Sequence, residues 1–213
     1  MMKAIIFDFD GVIVDSTQIK NDAFKEIFFA YPQREEIIDY HGQNGGISRF
    51  VKFRHIYKNI LKKQWKESYA IKLGKQFSNF VVNKIIAAPL IPGVEEFLMM
   101  NHNVFNFFIA SGTPEKELRT IAKNKKLDAY FKGIYGSPKT KDRIIQSIMK
   151  RYCYSPEEVI FIGDALTDRK AAHHMKIHYM ELSKGLNFNS SKFKELFNHT
   201  IGSDILIHRE LKC

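Results

Sequence analysis

Four short stretches of this 213-residue sequence place chemically capable side chains where apolar runs end. The first is Asp8-Phe-Asp10-Gly-Val-Ile-Val-Asp15-Ser16, directly after Lys3-Ala-Ile-Ile-Phe. Residues two apart on an extended chain share a side, so Asp8 and Asp10 are expected to project together before the chain turns away at Gly11. Two carboxylates at the end of a buried strand are costly to desolvate unless a cation or several donors meet them. An acidic strand-to-loop turn is the plain alternative. The second stretch, Ile160-Phe-Ile-Gly163-Asp164-Ala-Leu-Thr-Asp168, again ends an apolar run in acids. Alone it would read as a helix cap, since Asp is a favoured N-cap residue. Beside the first pair it makes a cluster of hard oxygen ligands suited to Mg2+.

The third stretch is Phe107-Phe-Ile-Ala-Ser111-Gly112-Thr113-Pro114. A proline can open a helix, and backbone N–H groups at a helix start make a place for phosphate oxygens, although an ordinary capped helix would look the same. The fourth, Gly136-Ser-Pro-Lys139-Thr-Lys141, sets two lysines just after an apolar run, where one cation could neutralise phosphate charge. A lone lysine in that position would be solvated surface.

Parallel strands must hold these groups. Lys3 to Asp8 reads as a buried strand, and further strands are expected at Val104–Ala110, Gly133–Tyr135, Val159–Ile162 and Ile177–Leu182. Helices are expected between them at Gly93–Met100, Pro114–Lys123, Lys141–Arg151 and Leu166–Met175. This alternation predicts an α/β fold, a Rossmann-like parallel sheet with helices on both faces, whose ligands bind at the C-terminal strand ends. Residues 17–88 break the rhythm, with apolar residues at helical spacing such as Ala23, Ile27, Phe28 and Phe77, Phe80, Val81. They read as a helical domain inserted after the first strand, with His41-Gly-Gln-Asn-Gly-Gly46 as a loop between two helices and Ala87 to Pro92 as the return linker. The expected division is a core of 1–15 and 90–213 with a cap of 16–89.

In this order the four stretches resemble the haloacid dehalogenase superfamily of phosphotransferases. The resemblance spans the chain; Asp-x-Asp-Gly-Val-x-x-Asp-Ser is its most specific element and the lysine element its weakest. It implies that Asp8 is the nucleophile and Asp10 the general acid and then base. It also implies Mg2+ on the carboxylates of Asp8 and Asp164 and the carbonyl of Asp10, with Asp168 supporting the metal or the lysine. Ser111 and the amide of Gly112 would hold the phosphoryl group. Lys141 is preferred as the active-site lysine, with Lys139 as the alternative. The acid at Asp10 argues against the carbon–halogen and carbon–phosphorus branches. The helical insert is similar to a C1-type cap, in which His41, Arg49 and Lys52, with Asn44 and Ser48, would face the substrate. Gly46-Ile-Ser-Arg49 is also similar to the cap segment of phosphosugar mutases, but those commonly have a histidine where this chain has Lys20.

Composition agrees with a compact enzyme: 45% apolar and 26% charged residues are ordinary for a globular chain. The run Ala4 to Phe9 is far short of the roughly 20 residues of a membrane span, and it lacks signal-peptide order, so a cytoplasmic protein without membrane attachment is expected. Cys153 and Cys213 give no disulfide framework and are expected to be free thiols. The net charge of +10 suits an anionic partner. Residues 17–90 carry 13 Lys/Arg against 6 Asp/Glu, so the insert is the basic part. A small phosphorylated metabolite fits better than nucleic acid, because the aromatics Phe50, Phe53, Tyr57 and Tyr69 recur at core-helix spacing and no nucleic-acid motif is present. A non-catalytic relative is disfavoured because every expected catalytic position is occupied. Phosphoglycolate, sugar phosphates and nucleoside monophosphates are all admitted, and the oligomeric state is left open.

Overall fold

The computed structural model describes residues 1–182 and 186–201. Five parallel strands, β1 Ala4–Phe7, β2 Asn106–Pro114, β3 Phe131–Ser137, β4 Val159–Gly163 and β5 His178–Glu181, form one sheet in the order β3-β2-β1-β4-β5. Alternation along β1 splits its side chains between two cores. Ile5 and Phe7 join the aromatic core on one face, while Ala4 and Ile6 join the other. The aromatic face is closed by α5 Val94–Asn101, α6 Glu115–Asn124 and α9 Ser191–Ile201. The opposite face is closed by α7 Lys141–Tyr152 and α8 Leu166–His174. Both faces are therefore dry, which is why the central strands read as nearly unbroken apolar runs.

Strand order reverses at β1, since β2 lies on one side of it and β4 on the other. Ligands of such sheets bind where that reversal opens a crevice at the C-terminal strand ends. Asp8 follows β1 and Asp164 follows β4, so the two acids flank the crevice. After Asp8 the chain turns sharply: the amides of Ile13 and Val14 both donate to the Phe9 carbonyl, at 2.9 and 3.0 Å. Gly11 sits at φ +82°, a conformation that glycine adopts freely. The outgoing and returning linkers pair with each other, Asp15 N to Pro89 O at 3.0 Å and Ile91 N to Ile13 O at 2.9 Å.

Between β1 and β2 the chain is helical, as its apolar spacing predicts: α1 Thr17–Ile27, α2 Arg34–Gln43, α3 Arg49–His55 continuing into a π-turn at Ile56–Ile60, and α4 Glu67–Ala87. Phe24, Phe28, Phe53 and Phe77 interlock at the centre of these helices, with ring centroids 5.3–6.3 Å apart. Phe53 is thus core, as is the buried Tyr57, against which Trp65 and Tyr69 pack half-buried. Phe50 is the partial exception, packing its ring edge on Phe53 while remaining exposed.

Two expectations are corrected here. The stretch His41 to Gly46 is not all loop, because α2 runs to Gln43. His41 is held in the helix by stacking on Phe24 at 3.8 Å between ring centroids and by its bond to Asn21. Ser111 to Pro114 does not open a helix but extends β2, and α6 begins only at Glu115, so the Gly112 amide is not one of that helix's first donors. Among the described residues no helix is long and apolar enough to cross a membrane. Cys153 is an exposed free thiol, and Cys213 lies outside the described residues.

Candidate active site

The crevice contains a tightly bonded acidic cluster. Lys141, the first residue of α7, sends its ammonium to Asp8 Oδ2 at 2.7 Å and also to Asp168 Oδ1. All three residues are buried. Asp8 Oδ1 accepts from the Phe9 amide at 2.6 Å, and Asp168 Oδ2 accepts from the Ala165 amide at 3.1 Å at the start of α8. One carboxylate oxygen from each of Asp8, Asp164 and Asp168 lies within 4.8 Å of the others. Asp164 is the most open of the three.

Three carboxylates around one ammonium leave excess negative charge. Burial pushes Asp8 up to about 8; Lys141 opposes this, while Asp168, Asp164 and Asp10 add repulsion. Burial also raises Asp164, to about 6, with Asp168 the next contributor. Although burial works against its charge, Asp8 and Asp168 hold Lys141 above the ordinary lysine range. Asp8, Asp164 and Asp168 are a hard-oxygen set short of positive charge, which is the condition a divalent cation relieves.

Asp10 is balanced differently. Its Oδ2 accepts from Lys20 and from Thr113 Oγ1 at 3.0 Å, and its Oδ1 accepts from Ser16 Oγ at 2.7 Å. Burial raises Asp10, but the Lys20 charge and these three donors outweigh it, so the carboxyl sits below the usual range. Ser111 Oγ is nearly fully buried beside it, accepting from the Thr113 amide at 3.1 Å. Gly112 is pressed against the helical insert: a Cβ there would stand 2.5 Å from the Gly46 carbonyl oxygen.

Asp8, Asp10, Asp164, Ser111 and Gly112 line one wall of a cavity of about 190 Å³, and the helical insert supplies the other with Lys20, Asn21, His41, Arg49 and Lys52. The structure thus gathers most of the residues singled out in the sequence, with one correction. Lys139 is exposed and faces a neighbouring cavity, because only Lys141 begins the helix aimed at Asp8. Of the two supports expected of Asp168, its bonds fit the lysine: one oxygen accepts from Lys141 and the other from a backbone amide. Arg49 lines the cavity, but its guanidinium is bonded to Glu117 of α6 and Ser78 of α4. Lys20 and Thr113 were not singled out as site residues. Lys20 lies one turn into a helix that starts straight after the acidic loop, and that adjacency is the signal that could have found it.

The family model of haloacid dehalogenase-like hydrolases matches residues 5–181. No curated protein matches the sequence. Among solved structures, a β-phosphoglucomutase from Clostridium difficile superposes with a TM-score of 0.75 at 19% identity, covering 94% of this chain and 99% of that one. A predicted phosphoglycolate phosphatase from Haemophilus somnus gives 0.68 at 19% identity over 89% and 88%. A haloacid dehalogenase-like family hydrolase from Streptococcus pneumoniae gives 0.65 at 22% identity over 93% and 90%.

Proposed function

Since the chain belongs to the haloacid dehalogenase-like hydrolases, we propose that it is a magnesium-dependent phosphatase that attacks a small phosphorylated metabolite with Asp8. The observation that carries this reading is the Asp8 carboxylate, fixed by Lys141 and the Phe9 amide, facing the same cavity as the separately balanced Asp10. Residues 1–15 and 90–213 act as the core and 16–89 as the cap.

Phosphoryl transfer needs positioning and charge neutralisation above all. An Asp8 oxygen attacks phosphorus, the bond to the leaving oxygen breaks, and Asp10 gives that oxygen a proton. The ionised resting form of Asp10 is set by Lys20, Thr113 and Ser16. A phosphate dianion arriving beside it adds negative charge and raises it toward the protonated form that this step uses. In the second half Asp10 takes a proton from water, water attacks the phosphoryl-Asp8, and inorganic phosphate leaves. Ser111 and the Gly112 amide hold phosphoryl oxygens, and Lys141 neutralises charge on Asp8. Asp8 and Asp164, with the Asp10 carbonyl, would hold Mg2+, which when bound supplies Lewis-acid neutralisation of the phosphoryl oxygens.

A phosphosugar mutase would use the same nucleophile and acid, and the likeness to β-phosphoglucomutase keeps it as the second reading. Release of inorganic phosphate against isomerised product separates the two. The direct test is hydrolysis of an aryl phosphate with Mg2+ and with chelator, beside Asp8→Asn. Activity that needs both Mg2+ and Asp8 supports the reading; activity surviving the substitution contradicts it.

A further inference from the structure

The cations in and around the cavity are not equivalent. Lys141 pairs with Asp8 and Asp168, Lys20 with Asp10, and Arg49 with Glu117. Lys52 is as deeply buried as these, at 3% exposure, yet among the described residues it has no carboxylate partner. Its ammonium donates to His41 Nδ1 at 3.0 Å and to the His41 carbonyl at 3.1 Å. An accepting Nδ1 puts the ring hydrogen on Nε2, which donates to Asn21 Oδ1 at 2.9 Å, so His41 is neutral and brings Lys52 no charge. The Phe24 ring lies 5.7 Å away, and Lys20 adds like charge rather than a counter-charge.

A buried ammonium without an anion is costly, and folds avoid it unless something compensates. Lys52 lines the cap wall of the cavity whose opposite wall is Asp8 and Asp10. The leaving half of a phosphoester bound at Asp8 must extend toward that wall. We propose that Lys52 receives a second anionic group on the leaving half of the substrate, which makes the substrate a small phosphoester carrying a carboxylate or a further phosphoryl group. This rests on the phosphatase reading and narrows it. Cavity size agrees: about 190 Å³ is below the roughly 300–1,000 Å³ of pockets for drug-sized ligands, so the leaving group is short. Burial and Lys20 hold Lys52 down, at about 7, and an anion alongside would raise it.

The test compares three matched series of phosphoesters, two to four carbons long, ending in a carboxylate, a phosphoryl group or a neutral hydroxyl. At pH 6.5 with Mg2+, kcat/KM is expected to favour one anionic series over the neutral one by at least thirtyfold, and which series wins identifies the anion. Lys52→Met is expected to shrink that ratio at least tenfold, chiefly through KM, and Lys52→Arg to restore part of it. Equal kcat/KM across the series, or a ratio that Lys52→Met leaves alone, overturns the anion site while the phosphatase reading stands. If no ester is hydrolysed, the phosphatase reading falls, and calorimetry with the same compounds decides the anion site. Tighter binding of an anionic series that depends on Lys52 supports it; no preference overturns it.

Discussion

Lys141 Nζ lies 2.7 Å from Asp8 Oδ2 and bonds Asp168 at the same time, so one ammonium from the first turn of α7 clamps the acid that follows β1 to an acid in the first turn of α8. Removing it should be felt twice. Lys141→Met is expected to lower kcat by about 10²–10³, the range for loss of one preorganised charge-stabilising group. It should also destabilise the fold by about 3–5 kcal/mol, because the buried carboxylates of Asp8 and Asp168 lose the ammonium that pairs with both. Asp8→Asn should do the reverse to stability, leaving it unchanged or raising it by about 1 kcal/mol by relieving repulsion while keeping shape. Urea denaturation of the three proteins at pH 7 checks the order.

The seating of the cap depends on Gly112. A Cβ at that position would meet the Gly46 carbonyl oxygen at 2.5 Å, and backbone cannot swing aside as a side chain can. Gly112→Ala should push the Gly46 loop off the core and lower kcat/KM by about 10²-fold, the scale of an ångström's misplacement. The melting temperature should stay close to that of the parent, since a Cβ there would crowd the backbone of Gly46 and Ile47 rather than core side chains.

Arg49 and Glu117 form a buried ion pair between the insert and the core, completed by Ser78, whose hydroxyl donates to Glu117 Oε2 at 2.5 Å. The Arg49 guanidinium also packs over the Phe77 ring at 4.4 Å. Glu117→Ala should cost about 3–5 kcal/mol by stranding the arginine, whereas Arg49→Met with Glu117→Leu should recover most of that loss. A double-mutant cycle in denaturant reads the coupling.

Acid should weaken the fold through His41, which burial, then Lys52 and Lys20, push down to about 3. The unfolded chain binds a proton there below about 6.5 and the folded chain only below about 3. The stability contributed by the neutral ring is therefore complete above pH 6.5 and is lost as pH falls toward 3, by up to about 1.4 kcal/mol per unit. Between pH 7 and pH 5 the parent should lose about 2 kcal/mol more than His41→Gln does, as read by urea denaturation.

How legible the molecule was depends on how local its determinants are. The strands that carry Asp8 and Asp164 announce themselves because Ile5, Ile6, Phe7 and Ile160, Phe161, Ile162 are buried on both faces and must be apolar. The preference for Lys141 over Lys139 came from the resemblance and not from local chemistry, since two residues in sequence decide which lysine falls inside the first turn of α7. The ion pair of Arg49 was hidden for another reason: its partner Glu117 is 68 residues on, and no local pattern announces a pair between an insert and its core. His41 was taken for loop because the glycines after it suggest one, whereas its stacking on Phe24 is a tertiary contact that extends the helix. Lys20 had been noted only for not being a histidine, and its bond to Asp10 gives it a place in the site.

The central claim, that Asp8 carries the phosphoryl group, is tested most directly by trapping it. Protein mixed with Mg2+ and a phosphoester, then quenched in acid and digested, should yield the peptide around Asp8 heavier by one phosphoryl group. Asp10→Asn should accumulate more of it, because water is then activated poorly. A phosphoryl group on another residue, or turnover with no phosphoryl-enzyme and with activity surviving Asp8→Asn, would contradict the account.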